Sequence, residues 1–455
     1  MALALAALGA PGVAQEQETP PRTRPNVLVI VADDLGHGDL GFQGCTDIPT
    51  PSLDRLAREG VRCTDAYVTA PRCAPSRCGL LTGRHQQRYG CEIGAEMGLP
   101  RDVPTLAELL RPAGYESGLI GKWHLGRKPE HHPLERGFDE FFGFVGGVSI
   151  SLPRDGVSIP RILRGREPVQ VPGFLTDALA TEAQAFLERH ARDPFFLLLS
   201  FQAPHEPVEA PPEALARFAA LPDPVRQRYA ASVATLDAAI GRVLETLRAL
   251  ELDQRTLVLF LSDNGGPQPG PRWNGASNAP LRGAKGGLYE AGIRVPFVVR
   301  WTGVLPAGST FAHPITALDL VPTALAMAGL EAPPGLDGVD LLPHLAGRSD
   351  APPHAALHWR FNFPPNRPEE HRWAIRVGDW KLLHSPERDE LTGPARGVGE
   401  LGLYDLRHDP GEAHDLAAAQ PERVAELKRR WQVWNEGLPT FPSPDGPVVD
   451  EAEDE

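Results

Sequence analysis

Apolar positions along the chain fall into two patterns that alternate. Continuous runs rich in β-branched or aromatic residues occur at Asn26–Ala32, Glu116–Ile120, Phe195–Phe201, Thr256–Ser262 and Val295–Trp301. Runs of this length without polar alternation suit strands covered on both faces, as in a parallel sheet. Between them lie segments of helical period. In the clearest, Tyr229, Val233, Leu236, Ile240, Val243 and Leu247 recur at spacings of three and four and lead through Asp253-Gln254 into the run at Thr256. Helices are also predicted at Ser52–Glu59 and Leu318–Ala328, each closed by a glycine, and at Asp177–Ala191. The alternation predicts an α/β fold, a mostly parallel sheet sandwiched by helices.

Near Pro352 the pattern changes to loops dense in Pro, His and aromatics. Trp373–Leu383 then shows the mixed alternation of one antiparallel strand, Leu403-Tyr404-Asp405-Leu406 suits another, and a last helix is predicted from Pro421 to Asn435. The expected organisation is a signal peptide and linker at 1–24, a catalytic domain at 25–351, a smaller C-terminal α+β domain with an antiparallel sheet at 352–440, and an acidic tail at 441–455. Ala2–Ala14 is too short to span a bilayer and reads as the apolar part of a secretion signal. No other stretch is long enough to cross a membrane. The expected location is therefore the periplasm or the extracellular space.

Composition narrows the functional classes. With 42% hydrophobic and 23% charged residues, the 455-residue chain has the makeup of a folded protein. A net charge of −14 argues against a nucleic-acid or anionic-lipid partner held across a broad face. Only five of the 45 basic residues are lysines, at 122, 128, 285, 381 and 428. All five cysteines, at 45, 63, 73, 78 and 91, lie in the first fifth of the chain without the paired spacing of a zinc site.

In parallel α/β sheets, ligands bind beyond the carboxyl ends of the strands. The first run is followed by Asp33-Asp34, the second by Lys122 and His124, the third by His205 and the fourth by Asp263-Asn264. Asp33, Asp34, Asp263 and Asn264 are oxygen donors, a set that favours Ca²⁺, or less well Mg²⁺, over zinc. In Ala-Pro-Arg-Cys73-Ala-Pro75-Ser-Arg77, Pro75 fits the first turn of a helix. Cys73 would then sit just before the helix, where amide dipoles and Arg77 favour an anion. The alternative is a buried or disulfide-bonded cysteine. His131, His132, Trp273, Asn274, Asn278, His358, Trp359 and Arg360 lie in polar loops that could line a saccharide subsite.

Cys73-Ala-Pro75-Ser76-Arg77 resembles the maturation signature of the type I sulfatases, whose cysteine is oxidised to formylglycine (3-oxoalanine). Pro25–Asp34, Gly121-Lys122-Trp123-His124-Leu125-Gly126, Ala203-Pro204-His205, Ser262-Asp263-Asn264-Gly265-Gly266 and Leu281-Arg-Gly-Ala-Lys285-Gly resemble further blocks of that family, in family order. The likeness runs to Asn435 and includes Asp409-Pro410-Gly411-Glu412. It is strongest to the branch holding N-acetylgalactosamine-6-sulfatase and bacterial polysaccharide sulfatases. One departure is Glu290-Ala291-Gly292, where relatives often have Glu-Gly-Gly.

The resemblance implies an alkaline-phosphatase-like fold and hydrolysis of a sulfate ester of a sugar. It implies Ca²⁺ on Asp33, Asp34, Asp263, Asn264 and the matured residue 73, with Arg77, Lys122 and His124 beside that residue and His205 and Lys285 toward the ester oxygen. One hydroxyl of the hydrated aldehyde attacks sulfur; the other lets sulfate leave as the aldehyde re-forms. A formylglycine-generating or sulfatase-maturing enzyme is the implied partner. Two other readings are a phosphonate or phosphate ester hydrolase with the same residue 73 chemistry, and a sulfoglycan-binding protein without catalysis. Pairing among Cys45, Cys63, Cys78 and Cys91 stays open. The overall acidity disfavours tracking along a polyanion and predicts action on chain ends or short oligosaccharides.

Overall fold

A computed structural model describes residues 24–92, 98–147, 161–171, 173–267, 273–362, 371–385 and 401–440. The expected signal segment, apart from Arg24, and the acidic tail lie outside them. In chain order the strands among the described residues are β1 (Asn26–Ala32), β2 (Val61–Cys63), β3 (Ala66–Tyr67), β4 (Glu116–Lys122), β5 (Glu140–Phe144), β6 (Leu163–Arg164), β7 (Glu167–Pro168), β8 (Phe195–Ser200), β9 (Thr256–Ser262), β10 (Phe297–Arg300), β11 (Ser309–Phe311), β12 (Ile315–Thr316), β13 (Leu357–Phe361), β14 (Arg372–Val377), β15 (Trp380–His384) and β16 (Leu401–Asp405).

A ten-stranded sheet runs β11-β2-β10-β9-β1-β8-β4-β5-β6-β7, and β5, β4, β8, β1 and β9 are parallel. β1 lies between β8 and β9, with Val29 opposite Leu198 on one side and Leu259 on the other. Its period of two divides its side chains between separate cores. Val27, Val29 and Val31 join one, and Leu28, Ile30 and Ala32 the other. All are fully buried, and each Val, Leu or Ile contributes about 1.5–3 kcal/mol by leaving water. The long helix Pro224–Ala249 and the helix Leu175–Arg189 cover one face. The helices Cys73–Thr82 and Leu320–Met327 cover the other. A second sheet, β13-β14-β15-β16, is wholly antiparallel and carries the helix Pro421–Glu436.

Three expectations change. The run at Val295–Trp301 is β10, and it is antiparallel to β9, so it closes the parallel set without extending it. Trp373–Leu383 is not one strand but the hairpin β14–β15, turned at Gly378-Asp379, where Gly378 takes φ 56°. The helix bearing Cys73 begins at Cys73 itself, with Arg72 as N-cap, so the thiol lies in the first turn.

Candidate active site

The parallel strands end together, and their carboxyl ends deliver the polar residues. β1 stops at Ala32, which puts Asp33 and Asp34 at its tip; β9 stops at Ser262, which does the same for Asp263 and Asn264. Lys122 is the last residue of β4. Asp34 and His124 hold left-handed backbone angles, φ 62° and 58°, an uncommon conformation for side-chain-bearing residues that persists where surroundings enforce it. Gly147 lets the chain close over His124, since a Cβ there would meet Nε2 at 2.6 Å.

Charge is paired tightly at this edge. Lys122 Nζ donates to Asp33 Oδ2 at 2.7 Å, and Cys73 Sγ lies 3.5 Å from Asp33 Oδ1. Arg77 Nε donates to Asp263 Oδ2 at 2.9 Å, while its Nη1 donates to Ser200 Oγ at 2.6 Å. Lys285 Nζ is 2.8 Å from both oxygens of Asp34, and Asn264 Nδ2 donates to Asp34 Oδ1 at 2.7 Å. His205 Nε2 lies 3.6 Å from Asp34 Oδ2.

The electrostatics follow from burial and these partners. Burial pushes the Asp34 carboxyl up, but Lys285 and His205 outweigh it and hold it well below the usual carboxylate range. Asp263 is raised by burial and by Asp33, against the pull of Arg77. Burial, with Lys122 and Arg77, keeps His124 neutral well below its ordinary value, and burial takes His205 down to about 3 despite Asp34. The Cys73 thiol is raised by burial and by Asp263, to about 12. Desolvation, reinforced by Asp263, outweighs the nearby cations Lys122 and Lys285, so the thiol is favoured over the anion expected at the helix start.

Donor atoms of Asp33, Asp34, Cys73 and His205 lie within 4.8 Å of one another, a cluster that could hold a metal ion. Asp263 is outside that group, its carboxylate turned to Arg77. Asn264 Oδ1 is buried without a hydrogen-bond partner, and so are both ring nitrogens of His124. An orphaned carbonyl oxygen beside carboxylates fits a hard cation.

These motifs are matched by a family model described as Sulfatase over residues 25–330, and by one for the N-sulphoglucosamine sulphohydrolase C-terminal region over residues 284–434. The chain belongs to the sulfatase family. This sulfatase is 36% identical to N-acetylgalactosamine-6-sulfatase of Sus scrofa over 94% of its length and 87% of the relative's. It is 35% identical to arylsulfatase A of Homo sapiens, over 89% and 86% of the two chains. Steryl-sulfatase of Mus musculus is 33% identical, over 89% and 80%. Among solved structures, Ps i-CgsB superposes with a TM-score of 0.83 at 34% identity, covering 91% of this chain and 94% of that one. The protein is thus a sulfuric ester hydrolase of a metal-dependent family, on an alkaline-phosphatase-like fold.

In this sulfatase nine of the residues expected at the site, Asp33, Asp34, Cys73, Arg77, Lys122, His205, Asp263, Asn264 and Lys285, are linked by the contacts above, and the tenth, His124, feels the charges of Lys122, Arg77 and Lys285 without a hydrogen bond to them. Of the residues considered for a saccharide subsite, His358, Trp359 and Arg360 lie in β13 and not in a loop, and the contacts of the whole set within the protein are as follows. Asn278 brackets Gly266, accepting from its N–H at 3.0 Å and donating to its carbonyl at 2.8 Å. Asn274 is buried, with its amide directed at Pro204 O, 3.2 Å away. Trp273 Nε1 donates to Ala276 O, and His131 and His132 are largely buried. Trp359 donates to Val68 O, and Arg360 pairs with Glu92 inside the protein. His358 stacks on Trp434.

Two buried polar residues lie outside the expected set: Ser200, which accepts from Arg77, and Lys381, which pairs with Glu290 and Glu412. Ser200 lies inside the apolar run Phe195–Phe201, as the last residue of β8, and carries no motif. Lys381 had a signal in the scarcity of lysine: it is fully buried, like Lys122.

Among the cysteines, Cys78 and Cys91 form a disulfide, while Cys45 and Cys63 are free. No helix of the described residues is long and apolar enough to cross a membrane.

Proposed function

We propose that this sulfatase removes sulfate from a sulfated saccharide, with the ten residues above as its machinery. The observation that carries the reading is the convergence of Cys73 with Asp33, Asp34 and His205. Asp33, Asp34, Asp263, Asn264 and residue 73 would hold Ca²⁺, which supplies positive charge opposite the sulfate oxygens. Formylglycine made from Cys73 supplies the hydrated aldehyde described above, a nucleophile that a thiol held at about 12 does not offer.

The other side chains bind and move protons. Lys122 and Arg77, fixed by Asp33 and Asp263, hold positive charge beside residue 73 without reorganising. His124, neutral and with both ring nitrogens unpartnered, serves as the base that takes a hydroxyl proton from residue 73. His205 and Lys285, both reaching Asp34 from the open side, bind the ester oxygen and protonate the leaving alcohol.

A saccharide substrate is supported by the relatives named N-acetylgalactosamine-6-sulfatase and by Ps i-CgsB, also solved in complex with k-i-k-neocarrahexaose. A phosphonate monoester hydrolase shares the fold at a TM-score of 0.69 but only 20% identity. The catalytic domain would span 25–351 and the C-terminal domain 352–440. Export, to the periplasm or beyond, is supported by the Cys78–Cys91 disulfide and by the apolar start of the chain.

The test is mass spectrometry of the residue 73 peptide after co-expression with a formylglycine-generating enzyme, with sulfate release assayed on the same protein. Conversion of Cys73 with release from sulfated oligosaccharides is expected. A preference for aryl phosphonates would overturn the substrate class. Faster release from intact polymer than from its oligosaccharides would overturn action at chain ends.

A further inference from the structure

The loop Leu281–Ile293 carries Lys285 into the site. Two backbone bonds tie it there: Lys285 N–H donates to Gly266 O at 3.1 Å and Gly286 N–H to Pro71 O at 2.9 Å. A lysine ammonium rides on a flexible four-carbon stem, so its place against Asp34 depends on where the backbone is held.

One residue beyond β16 grips this loop on both sides of Lys285. The carbonyl of Glu412 accepts from Arg282 Nη1 at 3.0 Å, three residues before the lysine. Its carboxylate Oε2 accepts from Glu290 N–H at 2.6 Å, five residues after it. Lys381, on β15, bridges Glu412 Oε1 at 3.0 Å and Glu290 Oε1 at 2.9 Å, and all three side chains are fully buried. Glu290 Oε2 accepts from Tyr67 Oη at 2.6 Å and from Arg294 Nη1 at 3.2 Å. Arg376 on β14 closes the cluster by reaching Tyr67 and Asp65.

The same turn presses on the metal-site segment, because a Cβ on Gly265 would lie 1.6 Å from Ala291 O. Glu412 itself holds φ 51°, a conformation that persists where its surroundings over-determine it. The antiparallel sheet is thus joined to Lys285 and Asn264 through contacts that never touch the site.

We propose that Glu412, seated with Lys381 at the junction of the two sheets, is a positioning residue for Lys285, so that the C-terminal region sets the rate of the ester-cleaving step. The proposal rests on the reading that Lys285 serves the ester oxygen. Misplacing a catalytic group by about 1 Å costs about 100-fold in rate, whereas a role in folding alone lowers the amount of active protein and nothing else.

The test is a two-background comparison. Glu412→Gln and Lys381→Met are each made in the natural chain and in Lys285→Ala, with rates normalised to folded protein whose residue 73 is converted, counted by mass spectrometry. In the natural background Glu412→Gln is expected to lower kcat about 10- to 100-fold with KM nearly unchanged. In the Lys285→Ala background the further loss is expected to shrink to about 2-fold, the scatter of independent sites. An equal loss in both backgrounds overturns the proposal. If Glu412→Gln does not fold, the same comparison with Lys381→Met decides.

Aryl sulfates of graded leaving-group acidity separate this inference from the reading beneath it. If Lys285→Ala slows good and poor leaving groups alike, the assignment of Lys285 to the ester oxygen fails. The two-background comparison still decides whether Glu412 acts through Lys285.

Discussion

Two clusters of buried charge flank the Lys285 loop; each pairs lysine with carboxylates, and they differ in how far they are closed from solvent. At the junction, Lys381, Glu290 and Glu412 are closed from solvent, with the lysine answering one carboxylate oxygen of each glutamate. At the site, Lys285 and His205 keep 20% and 12% of their side chains exposed, and Asn264 Oδ1 and both nitrogens of His124 have no partner. The junction's charges are neutralised by one another out of reach of solvent, and they contribute to holding the fold. The open cluster leaves hydrogen-bonding groups that the proposed metal and substrate would take up, at some cost in stability.

The comparison can be broken by substitutions that should affect activity or stability but not both. Cys73→Ala is expected to remove activity on the order of 10⁶-fold, as loss of a nucleophile does, with little change in Tm. His124→Ala should lower kcat about 10²- to 10⁴-fold, read in steady-state assays on converted protein, again without a matching loss of Tm. Lys381→Met leaves two carboxylates buried against each other. Chemical denaturation should show a loss of about 3–5 kcal/mol, larger than for any substitution that opens the site. A smaller Lys381→Met loss than that of Lys285→Ala would erase the contrast.

A finer measurement is the pH dependence of the junction. Burial raises the Glu412 carboxyl to about 7, with Lys381 only partly offsetting it. Glu290 is also desolvated, but Lys381, Arg294 and Arg376 bring it below its ordinary value. Because folded Glu412 holds its proton more tightly than the unfolded chain, its contribution is complete below about 4.5 and declines as pH rises to about 7. The Tm of the natural chain relative to Glu412→Gln should therefore fall across that window and level off above it. A flat difference would mean that the carboxylate is ionised throughout. The smallest effect belongs to the surface: Arg166→Ala, which breaks the exposed pair with Glu135, should cost about 1 kcal/mol or less.

The two clusters also differed in how readily they could be read from the chain. β1 and β9 have the limits expected of them, because unbroken apolar runs end in paired polar residues and nothing else competes for such a segment. The site followed from those endings. The junction is assembled from Glu290 at the start of the short helix Glu290–Ile293, Lys381 in a hairpin strand and Glu412 in a loop, none of which announces a partner. The hairpin resembles a single strand in sequence because Gly378-Asp379 interrupts the alternation by only two residues. The thiol of Cys73 shows the opposite limit: its helix was foreseen to within a residue, but its protonation depended on burial that no local pattern encodes.

The placement of β1 sets a schedule. Its neighbours in the sheet are β8 and β9, so the first strand made waits for partners made much later, and 189 residues separate Cys73 from the end of β9 at Ser262. At about 5–20 residues per second, synthesis of that stretch takes roughly 10–40 s. Until then the Asp33 edge has no Asp263 opposite it, and the helix that starts at Cys73, a residue only 5% exposed in the folded protein, has no finished sheet to lie on. Under the maturation proposed above, an enzyme that must reach the thiol would work against that clock, and a chain that folded before it arrived would be sealed with an ordinary cysteine at residue 73.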